Sequence, residues 1–235
     1  MLFARAEWAP LQDIQGDDQT MFKSPVIQEA FERVLHAHRP NSPIMLTSLC
    51  TSTRPYTASR KWWLYDALLG DVIDLVVCSN GGIVPLRFES QYPFLNYDAK
   101  GQARFDEEYI EVVGGRLKRF LLTHSYRHVV FAFLQGMRNR VIAEDLGPWL
   151  VHEGVIEGFA ILPSDAVRQQ VKEEGAHETL YVRHPDLWPC CVKELVLHVR
   201  SVCRLYGVRM PKVEAIPADV LREHSVQRKP RGLFE

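Results

Sequence analysis

The alternation of short apolar runs with helix-period segments constrains the fold of this chain more than any other feature. Three apolar runs rich in β-branched residues are typical of buried strands: residues 43–49, 71–78 and 128–134. Three segments with apolar residues at helical spacing alternate with them: residues 24–38, 59–69 and 106–123. This order predicts an α/β fold with a three-layer parallel-sheet core and helices on both faces.

Weaker patterns in the rest of the chain set the predicted domain limits. Residues 1–23 are polar and predict an irregular segment, whereas residues 24–147 form the predicted α/β core. Residues 148–207 predict a mostly helical extension, an α/β or helical continuation packed on the core. Within that extension the pattern favours one strand and two helices: residues 159–162, 165–174 and 191–206. Residues 208–235 contain three prolines and predict an extended tail.

Glycine, proline and serine mark several predicted boundaries. Ser24 and Pro25 suit the N-cap and first position of a helix, and Gly207 suits a helix end. Residues 80–82, Asn-Gly-Gly, indicate either a tight turn or a weak phosphate-loop pattern. Residues 86–104 lack a clear period, and a long irregular segment beside such a turn is often a functional loop.

Composition limits the classes of function that the chain can have. Its 235 residues carry a formal net charge of −1, which gives no global electrostatic case for binding nucleic acid. Local basic clusters at 116–128 and 222–231 are either solvated faces or tracks for phosphates. No window approaches the ~18 apolar residues of a membrane span. We expect a cytoplasmic protein with reduced thiols, since no secretory signal is visible.

The turn after the first predicted core strand crowds several reactive groups together. A thiol, a guanidinium, a phenol and a hydroxyl follow within ten residues: Cys50, Arg54, Tyr56 and Ser59. Ligands of α/β domains bind at the carboxyl ends of strands. A cysteine at such a place is either a small buried hydrophobe or a nucleophile, whose thiolate a helix N-terminus or a nearby cation stabilises.

The same turn carries a family resemblance. The catalytic core of archaeosine synthase reads Cys, three residues, Lys-Pro-Tyr, two residues, Ser, two residues, His. Four residues match at that spacing: Cys50, Pro55, Tyr56 and Ser59. Residues 79–98 resemble the family's Ser-Pro-Leu-Gly-Val-Val-Pro block and its later Tyr-Pro and Tyr-Asp. Residues 43–135 therefore resemble archaeosine synthase and the related bacterial DNA 7-cyano-7-deazaguanine nitrile hydratases (the DpdC group). The resemblance implies a core similar in shape to the uracil-DNA glycosylase-like fold.

The resemblance also implies which residues form the site. The implied catalytic residues are four in number: Cys50, Arg54, Glu89 and Asp98. The implied substrate-binding residues lie in the two matching blocks: Tyr56, Ser59, Ser79, Asn80, Gly81, Gly82 and Tyr97. Asp98 stands at the family's Tyr-Asp position, where a carboxylate suits recognition of a guanine-type edge or activation of water. Both carboxylates could instead be surface groups or loop caps, and the tyrosines could stack on a flipped base or simply pack.

Two departures from the family pattern bear on the chemistry. Arg54 replaces the lysine, and an arginine does not shuttle protons. Trp62 replaces the histidine and supplies either a stacking face or core packing. Both changes weigh against amine transfer and leave water as the simpler nucleophile.

The predicted function is hydration of the nitrile of 7-cyano-7-deazaguanine in DNA to the 7-amido form, through a Cys50 thioimidate. The alternatives are amine transfer to the same nitrile in tRNA, a non-catalytic nucleic-acid-binding module, and a small-molecule enzyme. The predicted partner is nucleic acid carrying a 7-deazaguanine base, with DNA favoured over tRNA, together with other proteins of a DNA-modification system and no membrane.

No cofactor is predicted, and no metal. The thiols and imidazole that could suggest zinc fit none of its common spacings: His184, Cys190, Cys191 and Cys203.

Overall fold

The computed structural model describes residues 14–99, 107–133, 137–175 and 187–210, with the backbone alone at 98, 99, 137 and 175. The strands within these ranges are β1 (Ile14–Gly16), β2 (Ile44–Leu49), β3 (Asp74–Ser79), β4 (Gly82–Pro85), β5 (Tyr97–Ala99), β6 (His128–Ala132) and β7 (Gly158–Leu162). The helices are α1 (Asp18–Lys23), α2 (Pro25–Ala37), α3 (Arg60–Leu69), α4 (Glu107–Thr123), α5 (Met137–His152), α6 (Asp165–Gly175) and α7 (Pro189–Tyr206).

A five-stranded sheet in the order β4-β3-β2-β6-β7 forms the centre of the fold. β3, β2, β6 and β7 are parallel, and β4 is antiparallel to β3. The predicted α/β class with a largely parallel sheet is therefore confirmed. β1 and β5 pair as a separate two-stranded parallel sheet.

Helices cover both faces of the sheet. His128 of β6 contacts His198 of α7, with ring nitrogens 3.2 Å apart. The next pair along the ladder places Phe159 against Gly147 of α5, so close that a Cβ on the glycine would lie 2.6 Å from the ring. Because successive side chains of a strand point to opposite faces, α5 and α7 lie on opposite sides of the sheet.

Several sequence signals act as predicted. The Ser24 side chain caps α2 by accepting a hydrogen bond from the Ile27 amide at 3.4 Å, and Pro25 is the first helical residue. Gly207, with φ of +66°, ends α7 in the left-handed region that glycine adopts without strain.

The predicted irregular segment 1–23 contains regular structure in its described part. Residues 14–16 form β1, and residues 18–23 form α1, capped by the Asp17 side chain. Met21 and Phe22 of this short helix are buried in the main core. The helix was missed because six residues hold too few apolar positions to show a period; residues 1–13 lie outside the description.

The predicted limits at 147 and in the loop region also need correction. α5 runs through position 147, and β7 completes the central sheet, so residues 148–162 belong to the core. β5 occupies part of the region 86–104 that was read as irregular, and β4 begins at the last residue of the predicted turn 80–82. Strands of three and four residues leave little pattern in the sequence. Residues 211–235 of the predicted tail lie outside the description.

Candidate active site

Cys50 stands where β2 ends. Its amide donates to the carbonyl of Cys78 at 3.1 Å, so the pairing of β2 with β3 continues one residue past β2. The indole Nε1 of Trp62 donates to the carbonyl of Leu49 at 3.1 Å, which brings the first turn of α3 beside this strand end. Cys50 is partly exposed, whereas Cys78 is fully buried. Trp62 is fully buried and is core rather than a stacking face.

Arg54 is the cation of the site, and two tyrosine rings hold it. Its guanidinium carbon lies 4.4 Å from the ring centre of Tyr56 and 4.5 Å from that of Tyr97. Nη1 donates to the carbonyls of Thr51 and Thr53, the latter at 3.0 Å. Burial opposes the charge of Arg54, but the electrostatic influence of the neighbouring Tyr56, Tyr97 and Cys50 outweighs it and leaves the pKa of Arg54 raised. The guanidinium therefore stays charged and fixed near Cys50.

A directional hydrogen-bond chain runs through the buried hydroxyls behind Arg54. Ser79 Oγ donates to Asn80 Oδ1 at 3.0 Å, and an amide oxygen can only accept. Ser79 Oγ must therefore accept from the Tyr97 hydroxyl, 2.6 Å away, and the Tyr97 oxygen in turn accepts from Tyr56. The protons of both tyrosines are thus committed toward Asn80.

The hydrogen-bond chain ends on the buried carboxylate of Asp18. Asn80 Nδ2 donates to Asp18 Oδ1 at 2.7 Å, and Arg138 Nη1 donates to Asp18 Oδ2 at 3.0 Å. Asp18 is only 1% exposed, so this ion pair ties α1 to α5 across the end of β3. Arg138 also lies 3.8 Å from the ring centre of Tyr109, and Arg116 donates to the Asn80 carbonyl at 3.0 Å.

The hydroxyls around Cys50 are held in their neutral form. Burial and then the negative charge of Cys50 raise the pKa of Tyr97 to about 12. Burial likewise raises the pKa of Tyr56 and Tyr109, and the charge of Cys50 adds to both. Burial raises the pKa of the Cys78 thiol as well. A negative charge on Cys50 therefore acts electrostatically on residues of β3, β5 and α4. The buried tyrosine hydroxyls keep their protons at neutral pH and remain hydrogen-bond donors.

Structural constraints explain why residues 81 and 82 are glycines. Asn80 and Gly81 form the two-residue turn between β3 and β4, since Ser79 pairs with Gly82. A Cβ at Gly81 would lie 2.5 Å from the Tyr97 ring, so only glycine permits that contact. Gly82 has φ of +127°, a conformation that other residues rarely adopt. The turn supports Tyr97 from behind.

The structure brings some of the predicted site residues together and places others elsewhere. Six of them come together around Arg54 and the β3–β4 turn: Cys50, Arg54, Tyr56, Ser79, Asn80 and Tyr97. Ser59 is buried and caps α3 by accepting from the Trp62 amide at 3.4 Å. Asp98 lies in β5 opposite Gln15, and its side chain is outside the description.

Glu89 is engaged elsewhere. One carboxylate oxygen accepts from the Thr57 amide at 2.8 Å, and the other accepts from the Thr57 hydroxyl. Glu89 therefore anchors the 3₁₀ turn Tyr56–Ala58, which carries Tyr56.

Sequence reasoning missed several residues of the site. They come from four helices and from separate parts of the chain: Asp18, Lys61, Tyr109, Arg116, Arg138 and Asn139. Asn139 is 2% exposed and bonds to Tyr109, while its Oδ1 has no partner among the described residues. A buried cation or amide in an otherwise apolar helix face was the only available signal.

The cations of the basic cluster at 116–128 contact separate partners. Arg116 points inward to Asn80. Lys118 lies 3.5 Å from the Trp149 ring centre, Arg119 pairs with Glu32, and Arg127 pairs with Glu157. These cations are thus occupied by separate partners. The cluster at 222–231 lies outside the description.

The described ranges hold no group of three or more histidine, cysteine, aspartate or glutamate side chains arranged for a metal ion. His184 lies outside those ranges. Within the same ranges, no helix has the length and apolar character that crossing a bilayer requires.

Comparison with known proteins places the chain in a family. Residues 27–150 match the family model described as Domain of unknown function (DUF5591). This chain is a member of the DUF5591 family. The DUF5591 match contains Cys50, Arg54, Tyr97 and Arg138, but it begins after Asp18.

One curated relative and one solved structure are similar to this DUF5591 chain. Archaeosine synthase subunit alpha of Methanosarcina acetivorans is 31% identical over 46% of the chain. The match spans only 18% of that relative's length. The resemblance to archaeosine synthase is thereby confirmed as distant homology. The crystal structure of AF0587, a protein of unknown function, is 25% identical over 61% of this chain and 48% of its own, with a TM-score of 0.43.

Proposed function

We propose that this chain hydrates the nitrile of a 7-cyano-7-deazaguanine base in nucleic acid to the 7-amido base, through a thioimidate on Cys50. The observation that carries the proposal is the placement of a partly exposed cysteine at a strand end, beside a fixed guanidinium. The similarity to archaeosine synthase subunit alpha supports the class of base.

The first step is addition of the Cys50 thiolate to the nitrile carbon. The S–C bond forms, one π bond of the nitrile breaks, and its nitrogen takes a proton, which gives a thioimidate. Splitting a difficult hydration into two steps is the usual gain from covalent catalysis. Arg54 stabilises the negative charge that develops during addition, because its guanidinium is held in place and permanently charged.

The second step is attack of water on the thioimidate carbon. The C–O bond forms and the nitrogen takes a second proton. The tetrahedral intermediate then collapses with cleavage of the C–S bond. The products are the 7-amido base and the Cys50 thiolate, so the cycle consumes only water.

Water is favoured over an amine as nucleophile by the state of Arg54. The guanidinium is committed to two ring faces and two carbonyls, and arginine does not deprotonate at neutral pH. It can neither deliver nor activate an amine. Amine transfer in tRNA remains the second candidate, because archaeosine synthase subunit alpha is the named relative.

DNA is the proposed carrier of the base, with partners from a DNA-modification system. Asp98, next to Tyr97 in β5, is proposed to read the guanine-type edge or activate water. The turn Asn80–Gly82 and Ser79 are proposed to form the wall behind Tyr56 and Tyr97. Ser59 and Glu89 are proposed to hold the loop between Cys50 and α3.

The test is mass spectrometry of nucleosides after the protein is incubated with 7-cyano-7-deazaguanine in DNA or in tRNA, without and with lysine. Gain of one water in DNA without lysine supports the proposal; a lysine-dependent gain in tRNA supports the second candidate. Cys50→Ser should abolish either product, whereas the matched control Cys190→Ser, on α7, should not. Binding of modified DNA with no Cys50-dependent product would indicate a non-catalytic module instead.

A further inference from the structure

Lys61 is a buried ammonium beside the strand that carries Cys50. It lies in the first turn of α3 and is 5% exposed, which is rare for lysine. Its Nζ donates to Ser48 Oγ at 3.4 Å. The Ser48 hydroxyl donates its own proton to the Ala132 carbonyl at 2.7 Å, so its oxygen is an acceptor for Lys61. The β2–β6 ladder thereby fixes the position of the ammonium group.

Ser48 and Cys50 lie on the same face of the extended chain. Residues two apart in a strand share a face, at a spacing of about 6.6 Å. The β2–β3 pairing continues to Cys50 through its bond to Cys78, so this alternation holds. The neighbour of Lys61, Trp62, is bonded to Leu49, which lies between Ser48 and Cys50. Lys61 therefore bonds to the residue two positions before the proposed nucleophile, on the same face of the strand.

The proposed addition requires a proton at the nitrile nitrogen. Arg54 cannot supply it, because arginine stays protonated. The protons of Tyr56 and Tyr97 are committed to the hydrogen-bond chain that leads through Asn80 to Asp18, and burial raises the pKa of both phenols. Glu89 accepts two bonds from Thr57. Among the described side chains near Cys50, Lys61 is thus the group whose protons can be given and regained.

We propose that Lys61 is the catalytic acid–base group of this reaction, an inference that rests on the proposed function. As the S–C bond forms, an Nζ–H bond breaks and the nitrile nitrogen gains that proton, which leaves a neutral amine. The amine then takes a proton from the attacking water as the C–O bond forms and passes it to the same nitrogen, which completes the NH2 group. When the C–S bond breaks, the amine takes the proton of the C–OH group and Cys50 leaves as the thiolate. Lys61 ends the cycle as the ammonium, and no further reactant is needed. It supplies the titratable group that Arg54 and Trp62 lack.

The experiment measures thioimidate formation on Cys50 and product formation over a range of pH. Lys61→Met removes the transferable proton at similar length, and Lys61→Arg keeps the charge without the proton transfer. Both should lower the rate of thioimidate formation by about 10²–10⁴-fold, the usual range for an acid–base group. KM should change little, and the pH dependence of thioimidate formation should differ from that of the wild-type protein. Lys172→Met, at an exposed lysine of α6, is the matched control.

Other outcomes would overturn the inference. If Lys61→Met forms the thioimidate within about twofold of the wild-type rate, Lys61 is not the proton donor. If the wild-type protein itself forms neither adduct nor product, the proposed function fails and this role fails with it. Should both Lys61 variants misfold, Ser48→Ala keeps the lysine but removes its acceptor. An unchanged rate and pH profile in that variant would contradict the placement argued above.

Discussion

The guanidinium of Arg54 lies 4.5 Å from the ring centre of Tyr97, a residue 43 positions along the chain that belongs to the small β1–β5 sheet. The Tyr97 hydroxyl bonds in turn to Ser79 of β3 at 2.6 Å. The cation of the candidate site is therefore positioned by a second sheet and a hairpin turn, and not by its own loop alone. Removal of the Tyr97 hydroxyl should therefore alter the position of Arg54.

Tyr97→Phe should reduce both stability and turnover. The ring stays over Arg54, but Ser79 and Tyr56 lose their buried partner, which costs about 1–3 kcal/mol. Urea unfolding measures the loss. The control Tyr206→Phe, at a partly exposed position of α7, should change the unfolding free energy by less than about 0.5 kcal/mol. Equal losses of unfolding free energy in the two variants would show that the buried hydroxyl chain does not stabilise the protein more than an ordinary tyrosine hydroxyl does.

Asp18→Asn should destabilise the protein by about 3 kcal/mol, because it leaves Arg138 without a buried counter-charge. The matched control is Glu157→Gln, which breaks the exposed pair with Arg127 and should change the unfolding free energy far less, because solvent screens that pair. Chemical denaturation of the two variants side by side makes the comparison. If Asp18→Asn is as mild as the control, the ion pair is not what joins α1 to α5.

Glu89→Gln should keep most of the activity. The amide oxygen can still accept one bond from Thr57, so the turn that carries Tyr56 loosens but persists. Thr57→Val, which removes the hydroxyl partner of the same carboxylate, should lower turnover to a similar extent. Complete loss of activity in Glu89→Gln with normal folding would instead favour a catalytic role for this carboxylate.

Acid should destabilise the protein through His124. Burial, then the charges of His38 and Arg39, lower the pKa of His124 from 6.5 to about 4. As the pH falls, the unfolded chain binds a proton at this histidine before the folded protein does. The contribution of neutral His124 to stability is therefore fully present above pH 6.5 and is lost as the pH falls toward 4. In thermal melts at decreasing pH, the melting temperature of His124→Gln should fall less than that of the wild-type protein. The variant His36→Gln, at an exposed position, should follow the wild type.

Cys50 should react with alkylating agents in the folded protein before Cys78 does. Cys50 is partly exposed, whereas Cys78 is fully buried and burial raises the pKa of its thiol. Peptide mass spectrometry after brief labelling would identify the modified site. Preferential labelling of Cys78 would be incompatible with the arrangement described here.

The regular elements of the core could be predicted because their sequences repeat the pattern that burial imposes. β2, α2 and α7 each have enough apolar positions to show a period, and caps such as Ser24 and Gly207 mark their ends. The short strands β4 and β5 could not be predicted, since their pairing depends on partners elsewhere in the chain.

The candidate site was predictable only where it lies in continuous motifs. Cys50, Arg54 and Tyr56 are neighbours in sequence, and Tyr97 belongs to the second motif, residues 79–98. Asp18 and Arg138 are 120 residues apart and carry no local signature of their contact. Lys61 had no signal beyond its place in the predicted helix 59–69, because burial of a charge becomes visible only when the helix is packed.

The ion pair between Asp18 and Arg138 also bears on how fragments of this protein can be made. A fragment cut at the limits of the family match, 27–150, would omit Asp18 and the strand β7. Arg138 and Asn80 would then lack their shared acceptor, and β6 would become an open sheet edge. Because Leu195 and Val199 of α7 also belong to the main core, the smallest autonomously folding piece with an intact Cys50 environment should start before β1 and end after α7.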